Sequence, residues 1–443
     1  MLIKHPDNTD LIYDITDNKN QWNQRFSNQC NPCSRERERE RVNVAARIFS
    51  YENLLRCYYS CRKRKRHTIN AIKFEAHFED ELLKLQSELK SHTYRPGKSI
   101  CFVVTKPKAR EIFAADFRDR VVHHILVGYL EPIWEKKFID QSYACRKGKG
   151  AHQAIADLKR YLRQAGESGR RPVNYLQVDI QSFFVSLKKE ILFEIIKKQV
   201  KNPEILRLAE VIIFHNPTLD YYRKGQKSLF DLIPDHKSLF KVPSNQGLPI
   251  GNLTSQFFAN VYLNELDQFI KHTLKIKYYL RYVDDLVLLS PDKNQLKTWR
   301  EEIDNFLQGK LKLKLHPNKT IVNDIRQGID FLGYVVRPDY ILVRRRVVKN
   351  LKEKLWRLNR LPAKFTAEEL AKVSSTVNSY YGQFKHANSF GLRQKLWQKN
   401  FGCLREFLEP VDPARYNYFK IKRIDLTDKI CDITDKKSAQ SVL

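Results

Sequence analysis

The sequence predicts an α+β fold, on three observations. Short runs rich in β-branched and aromatic residues alternate with helical stretches between Pro96 and Val336. Two apolar runs, Tyr278–Tyr282 and Leu286–Leu289, flank a short polar turn as the arms of a β-hairpin do. From Val347 to Phe407 the pattern is helical, interrupted at Pro362 and Gly382. With 443 residues, 42% of them hydrophobic, the chain can bury cores in two or three lobes.

The elements follow in order. Residues 1–45 are polar, and Arg35 to Arg41 alternates Arg and Glu with no apolar face, which reads as a solvated arm. Leu54, Leu55 and Tyr58, then Phe74, Phe78, Leu82, Leu83 and Leu85, recur at mostly three- and four-residue spacing and predict helices between Val44 and Leu89. Arg62 to His67 is a dense basic block between them. Strands are expected at Ile100–Thr105, Val173–Val178 and Phe331–Val336, and helices at Phe117–Trp134 and Leu253–Thr273. The last 30 or so residues read as a loose tail.

Charge narrows the function. Lys and Arg number 80 against 50 Asp and Glu, a formal +30 with a pI near 9.7. An ordinary metabolic enzyme has no need of that excess; a protein that holds phosphate backbones does. The N-terminus lacks the apolar stretch of a signal peptide, no apolar run is long enough to span a bilayer, and eight cysteines are too few for a disulfide scaffold. A cytoplasmic protein with reduced thiols and no membrane partner is expected.

The strongest local signal is Tyr282-Val283-Asp284-Asp285 between apolar strands. Two adjacent carboxylates at a hairpin tip repel unless a cation neutralises them, although an exposed Asp-Asp turn gives the same four letters. Upstream, Tyr175 to Asp179 is a largely apolar strand ending in a lone Asp. A carboxylate leaving one strand beside a carboxylate pair on a neighbouring hairpin can hold two Mg²⁺ ions, with Mn²⁺ as a substitute. The backbone carbonyl of Ile180 offers one more oxygen.

At this point the order of motifs resembles a reverse transcriptase, from about Asn53 to Trp397. Lys106-Pro107-Lys108-Ala109-Arg110-Glu111-Ile112 and Asp119-Arg120-Val121-Val122 come first, then Asp179 to Phe184. Gly247-Leu248-Pro249-Ile250-Gly251-Asn252-Leu253-Thr254-Ser255-Gln256, Tyr282 to Asp285, Leu315-His316-Pro317-Asn318-Lys319-Thr320 and Phe331-Leu332-Gly333-Tyr334 follow. The resemblance implies a right-hand polymerase with fingers at 53–172, an antiparallel-sheet palm at 173–345 and a helical thumb at 346–410. A polar arm at 1–52 and a tail at 411–443 complete the division. It implies Mg²⁺-dependent DNA synthesis on template RNA from dNTPs, with Asp179, Ile180, Asp284 and Asp285 as the metal site.

Other residues take expected roles beside bland alternatives. Lys106 and Arg110 are placed to clamp a triphosphate, or are surface cations. Phe184 is placed to exclude the ribose 2′-hydroxyl by bulk, or is a core Phe. Lys319 is placed to protonate departing pyrophosphate, or is an ordinary surface Lys. Gln181, Ser182 and Phe183 offer backbone N–H groups to phosphates. Arg146, Lys147 and Lys149, in the loop Ser142 to Gly150, are candidates for template contact, and Phe331 and Gly333 for the primer grip.

One departure from the common pattern stands out. Where most reverse transcriptases have Gln-Gly and Ser-Pro, this chain has Ile250-Gly251 and Ser255-Gln256. That pair resembles the enzymes of diversity-generating retroelements, which copy RNA with errors at adenines; Ile250 offers a nascent base pair dispersion contact but no hydrogen bond. Asn378 to His386 resembles the thumb helices of retroelement and group II intron enzymes. A small basic accessory protein or a specific noncoding RNA is the partner such a reading adds. An antiphage-defence reverse transcriptase, favoured by the long arm before residue 45, and an idle RNA-binding protein are the alternatives; the lack of a nuclease motif after Phe407 fits the retroelement and defence readings alike. Cys30, Cys33, Cys57 and Cys61 are a possible zinc set with unusual spacing in the second pair, where packing is the simpler reading. His123 and His124 read as core and rim residues.

Overall fold

The computed structural model describes residues 47–63, 65–66, 68–106, 108–360 and 365–422. The chain divides into two compact units, Met1–Tyr94 and Arg95–Leu443. Cys30, Cys33 and the Arg/Glu run at Arg35–Arg41 lie outside the described residues, so the four-thiolate zinc set is not placed.

The first unit contains α1 (Tyr51–Arg62), α2 (Ile69–Glu75) and α3 (Phe78–Lys90). Ser50 caps α1 by accepting a hydrogen bond from the Asn53 amide, which satisfies one of the donors that a helix start leaves open. The three- and four-residue spacing turns Leu54, Tyr58 and Cys61 inward with Phe74, Leu82, Leu85 and Leu89, while Leu83 points to solvent. The Tyr58 ring stacks on Phe78 with centroids 5.2 Å apart. Cys57 and Cys61 are buried thiols outside any disulfide, and burial pushes Cys57 up to about 11. They pack as small hydrophobes.

In the second unit, β1 (Ser99–Val104) pairs antiparallel with β2 (Arg110–Ala114). Helices α4 (Phe117–Glu135) and α5 (Ala151–Ala165) follow. Next come β3 (Asn174–Asp179), a single turn α6 (Phe183–Ser186), α7 (Lys189–Gln199) and α8 (Pro203–Phe214). Strand β4 (Tyr221–Arg223) returns to lie parallel to β1. Helix α9 (Leu253–Gln268) runs on through a π turn to Thr273. Then β5 (Tyr279–Tyr282), β6 (Asp285–Ser290), α10 (Lys293–Phe306) and β7 (Ile321–Asp324) complete a four-stranded antiparallel sheet in the order β5-β6-β3-β7.

Period-2 alternation builds this sheet. Tyr175, Leu280, Val287 and Leu289 pack against Ala154, Ile155, Leu158 and Leu162 of α5. The alternate residues Leu176, Val178, Leu286 and Leu288 are equally buried, so both faces are covered. The fold is α+β, as the sequence predicts.

Three expectations for the remainder need correction. Phe331–Val336 is not one strand: β8 (Ile329–Phe331) and β9 (Tyr334–Val336) form a hairpin that β10 (Ile341–Val343) extends. Leu332 and Gly333 both take positive φ, 49° and 87°, the signature of a two-residue type I′ turn. Gly382 does not interrupt a helix either. After α11 (Arg345–Leu358), α12 (Ala367–Phe384) runs straight through it, because the flanking Tyr381 and Phe384 are fully buried and hold the turn in place. Then α13 (Phe390–Asn400) and α14 (Leu404–Phe407) lead into β11 (Leu408–Pro410), which pairs with β12 (Phe419–Ile421). Phe419 is fully buried against Tyr381, Trp397 and Phe401, so the segment up to residue 422 is packed rather than loose.

Candidate active site

The sheet brings the three carboxylates together. Asp179 ends β3 and Asp285 begins β6, and the two are direct cross-strand partners. Tyr282 and Asp285 also face each other across β5 and β6, which leaves Val283 and Asp284 as a two-residue turn. Val283 sits at φ 55°, a region that a β-branched side chain occupies only when its surroundings force it. What forces it is visible. The Ile180 amide donates to the Asp284 carbonyl at 3.2 Å, and Arg281 Nη1 donates to the Val283 carbonyl at 3.1 Å.

Arg281 was not singled out by sequence reasoning, yet it is the anchor of the hairpin. Its guanidinium is fully buried and bidentate on Asp267 of α9, with Nε to Oδ1 at 2.8 Å and Nη2 to Oδ2 at 2.5 Å. Tyr279 Oη donates to the same Oδ1 at 2.7 Å, and Ser142 Oγ and Asn260 Oδ1 accept from the remaining N–H groups. Every charge in this knot is answered, the condition for a buried pair to be tolerated.

Electrostatics at the tip run the other way. Burial and the neighbouring Asp179 raise Asp284 above the usual carboxylate range. Burial, then Asp284, then Asp179 push Asp285 up to about 7. Three like charges so placed resist joint ionisation and call for positive charge. The chain supplies some. Lys319 Nζ donates to Asp179 Oδ2 at 2.6 Å, Arg110 and Lys319 both lower Asp284, and Lys108 and Lys319 lower Asp285. Lys108 lies near enough for its charge to act on Asp285, and Lys106 and Lys108 are both exposed.

The donor set fits Mg²⁺, a hard cation that takes oxygen ligands. Among the described residues no three His, Cys, Asp or Glu side chains converge as a finished cage, so phosphate and water oxygens would complete the shell, which is how Mg²⁺ is commonly bound. Ile180 is fully buried and bridges to Leu315, and both hydrogen bonds of that bridge belong to its neighbours, Gln181 to Lys314 and His316 to Asp179.

The Gly247–Gln256 segment links the α6 turn to β2. Leu248 and Gly247 amides donate to Phe184 and Leu187 carbonyls at 2.8 Å, the Phe113 amide of β2 donates to Ile250, and Asn252 Oδ1 accepts from Ala115. Gly251 is required here: at φ 127°, a Cβ would lie 2.9 Å from Ile112 Cγ2 and 3.0 Å from the Phe113 carbonyl oxygen. Ile250 and Phe184 are half-buried, Phe184 lies edge-on to a fully buried Phe183, and Gln256 is exposed on the first turn of α9.

Several expected contacts are spent elsewhere. The Gln181 amide donates to Lys314 and is not free for a phosphate. Ser182 takes a left-handed turn, and its buried Oγ has no partner among the described residues. Arg146 is bidentate on Glu135 and donates to the Ile139 and Ser142 carbonyls, so it ties the loop to α4 instead of facing a template. Lys149 pairs with Asp140, and Lys147 with Glu131 while staying 86% exposed. Phe331 is buried in the core. Gly333 sits on the turn beside α12, where a Cβ would come within 2.7 Å of Gln383 Nε2. Burial holds His123 neutral, down to about 3.

The profile of the reverse transcriptase (RNA-dependent DNA polymerase) family matches residues 98–336, more than half of the chain. The chain belongs to that family. Protein YkfC of Escherichia coli (strain K12) is 26% identical over 300 residues, 60% of this chain and 74% of YkfC. Group II intron-encoded protein LtrA of Lactococcus lactis subsp. cremoris is 22% identical over 324 residues, 58% of this chain and 50% of LtrA. The match thus spans half of LtrA's length. Telomerase from Candida albicans, solved in complex with a TWJ fragment of telomeric RNA, aligns at 12% identity and a TM-score of 0.41, over 72% of this chain and 59% of that one. For this reverse transcriptase, the matched span contains all three carboxylates and Lys319. Among the described residues no helix is long and apolar enough to cross a membrane.

Proposed function

We propose that this reverse transcriptase extends a DNA primer along an RNA template by two-metal nucleotidyl transfer at Asp179, Asp284 and Asp285. The observation that carries the reading is the pairing of Asp179 with Asp285 across β3 and β6, with Asp284 at the intervening tip. Two bound Mg²⁺ ions would lower the pKa of the primer 3′-hydroxyl and steady the leaving pyrophosphate. Asp179 and Asp284 hold them, Asp285 supports, and the Ile180 carbonyl is the added oxygen. Lys106 and Arg110, with Lys108 beside them, neutralise the incoming triphosphate, Phe184 closes off the sugar 2′ position, and Lys319 is placed to pass a proton to pyrophosphate. In this division fingers, palm and thumb fall at 53–172, 173–345 and 346–410.

A retroelement role is the biological setting that relatives named as group II intron-encoded proteins support. Error-prone copying is the finer reading, supported by Ile250, a side chain without a hydrogen-bonding group in a segment stitched to β2. The test is to purify the protein with the RNA it retains, add labelled dNTPs and Mg²⁺, and sequence the product. DNA complementary to the retained RNA, with errors concentrated at adenines, is expected. Ordinary accuracy at adenines removes the error-prone reading alone; DNA made equally after the RNA is digested removes the templated one.

A further inference from the structure

Helix α11 carries six basic residues and one acidic one. Its apolar side is accounted for: Leu351 and Leu355 are fully buried in the cluster that includes Tyr381, Phe384 and Phe401, with Val347, Val348 and Leu358 packed against it. The opposite side is ordered in a different way. Arg345, Lys349, Lys352 and Trp356 follow one another at spacings of four, three and four, and Arg360 lies four further on, so all five share one exposed stripe. Trp356 is 55% exposed, and the Arg360 guanidinium lies 3.8 Å from its ring centroid. The guanidinium covers one indole face, and more than half of the side chain is still open to solvent. Lys349 meets Glu353 at 3.9 Å, a weak exposed pair; Arg345 and Lys352 have no ion-pair partner among the described residues.

Single exposed apolar residues are ordinary, and a basic helix side is usually a solvated one. A flat aromatic braced by an arginine within a row of exposed cations is a more specific object. Bases stack on aromatic faces whatever their sequence, and cations four and seven residues away can follow the adjoining phosphates. A duplex keeps its bases stacked on each other and offers such a ring no free face. We propose that the Arg345–Lys349–Lys352–Trp356 stripe binds an unpaired stretch of RNA, with one base stacked on Trp356. The commitment to RNA over single-stranded DNA rests on the RNA-template reading above; the stacking site itself does not.

The test uses the full chain without dNTPs or divalent metal, so loss of catalysis cannot mimic loss of the site. Fluorescence anisotropy compares a labelled oligo(U) RNA, the matching oligo(dT) DNA and a blunt RNA–DNA hybrid. Trp356→Ala should weaken oligo(U) binding roughly ten- to a hundredfold and leave the hybrid within about twofold. Trp356→Phe should retain most of the affinity, and an Arg345→Ala, Lys349→Ala, Lys352→Ala variant should weaken oligo(U) and flatten its salt dependence. Equal oligo(U) affinity in wild type and Trp356→Ala overturns the proposal, as does an equal loss on the hybrid. Tighter binding of oligo(dT) than oligo(U) overturns the commitment to RNA.

Discussion

Arg281 and Asp267 form a fully buried, bidentate pair directly behind the Val283-Asp284 turn. The hairpin that carries two of the three carboxylates is therefore tethered to helix α9 by charge as well as by its own ladder. Removing one partner strands the other. Asp267→Asn and Arg281→Met are each expected to cost about 3–5 kcal/mol, and the double variant Asp267→Leu, Arg281→Met to cost less than either alone. Urea unfolding of the three variants checks this; additive losses would show that the pair is not coupled.

Lys319 competes with any cation for Asp179, because its ammonium already sits 2.6 Å from Oδ2. In Lys319→Met, the Mg²⁺ concentration for half-maximal extension should fall severalfold while kcat drops by about 10²-fold or less. Titrating Mg²⁺ in single-turnover extension separates the two effects. An unchanged Mg²⁺ midpoint would mean that Lys319 does not share the cation's place.

Phe184, half-buried and set edge-on to Phe183, is the bulk that the sugar 2′ position would meet. Phe184→Ala should raise the relative kcat/KM for ribonucleotides over deoxyribonucleotides by about 10-fold or more, since a steric bar is removed while the carboxylates stay in place. Paired single-nucleotide insertions measure the ratio, and an unchanged ratio would make Phe184 a packing residue.

Arg146 gives the opposite expectation from the one its sequence invites. Its guanidinium is engaged with Glu135 and two carbonyls, so Arg146→Ala should cost about 1–3 kcal/mol of stability and leave the salt dependence of RNA binding unaltered. Thermal unfolding and a salt titration together decide it.

How far the sequence reached depended on the range of the interaction. The palm sheet and its carboxylates were legible because a period-2 strand and a two-residue turn are local, and Asp179 needed only to end one strand while Asp285 began another. The turn at Leu332-Gly333 was hidden inside a run of strand-favouring residues, and only a tertiary setting puts Leu at positive φ. Gly382 reads as a break by propensity, but the buried Tyr381 and Phe384 on either side override it. Arg281 and Arg146 were illegible for one shared reason: their partners lie 14 and 11 residues away on other elements, and nothing local tells a committed guanidinium from a free one.

The most direct test of the central claim is primer extension by Asp284→Asn, with wild type and Asp285→Asn alongside, on a defined RNA template with a DNA primer. The Asn side chain keeps the shape of the turn and removes the charge. Asp284→Asn is expected to lose about 10³-fold or more of the Mg²⁺-dependent rate, and Asp285→Asn less. Extension by a folded Asp284→Asn within about tenfold of wild type would contradict the assignment of the catalytic carboxylates.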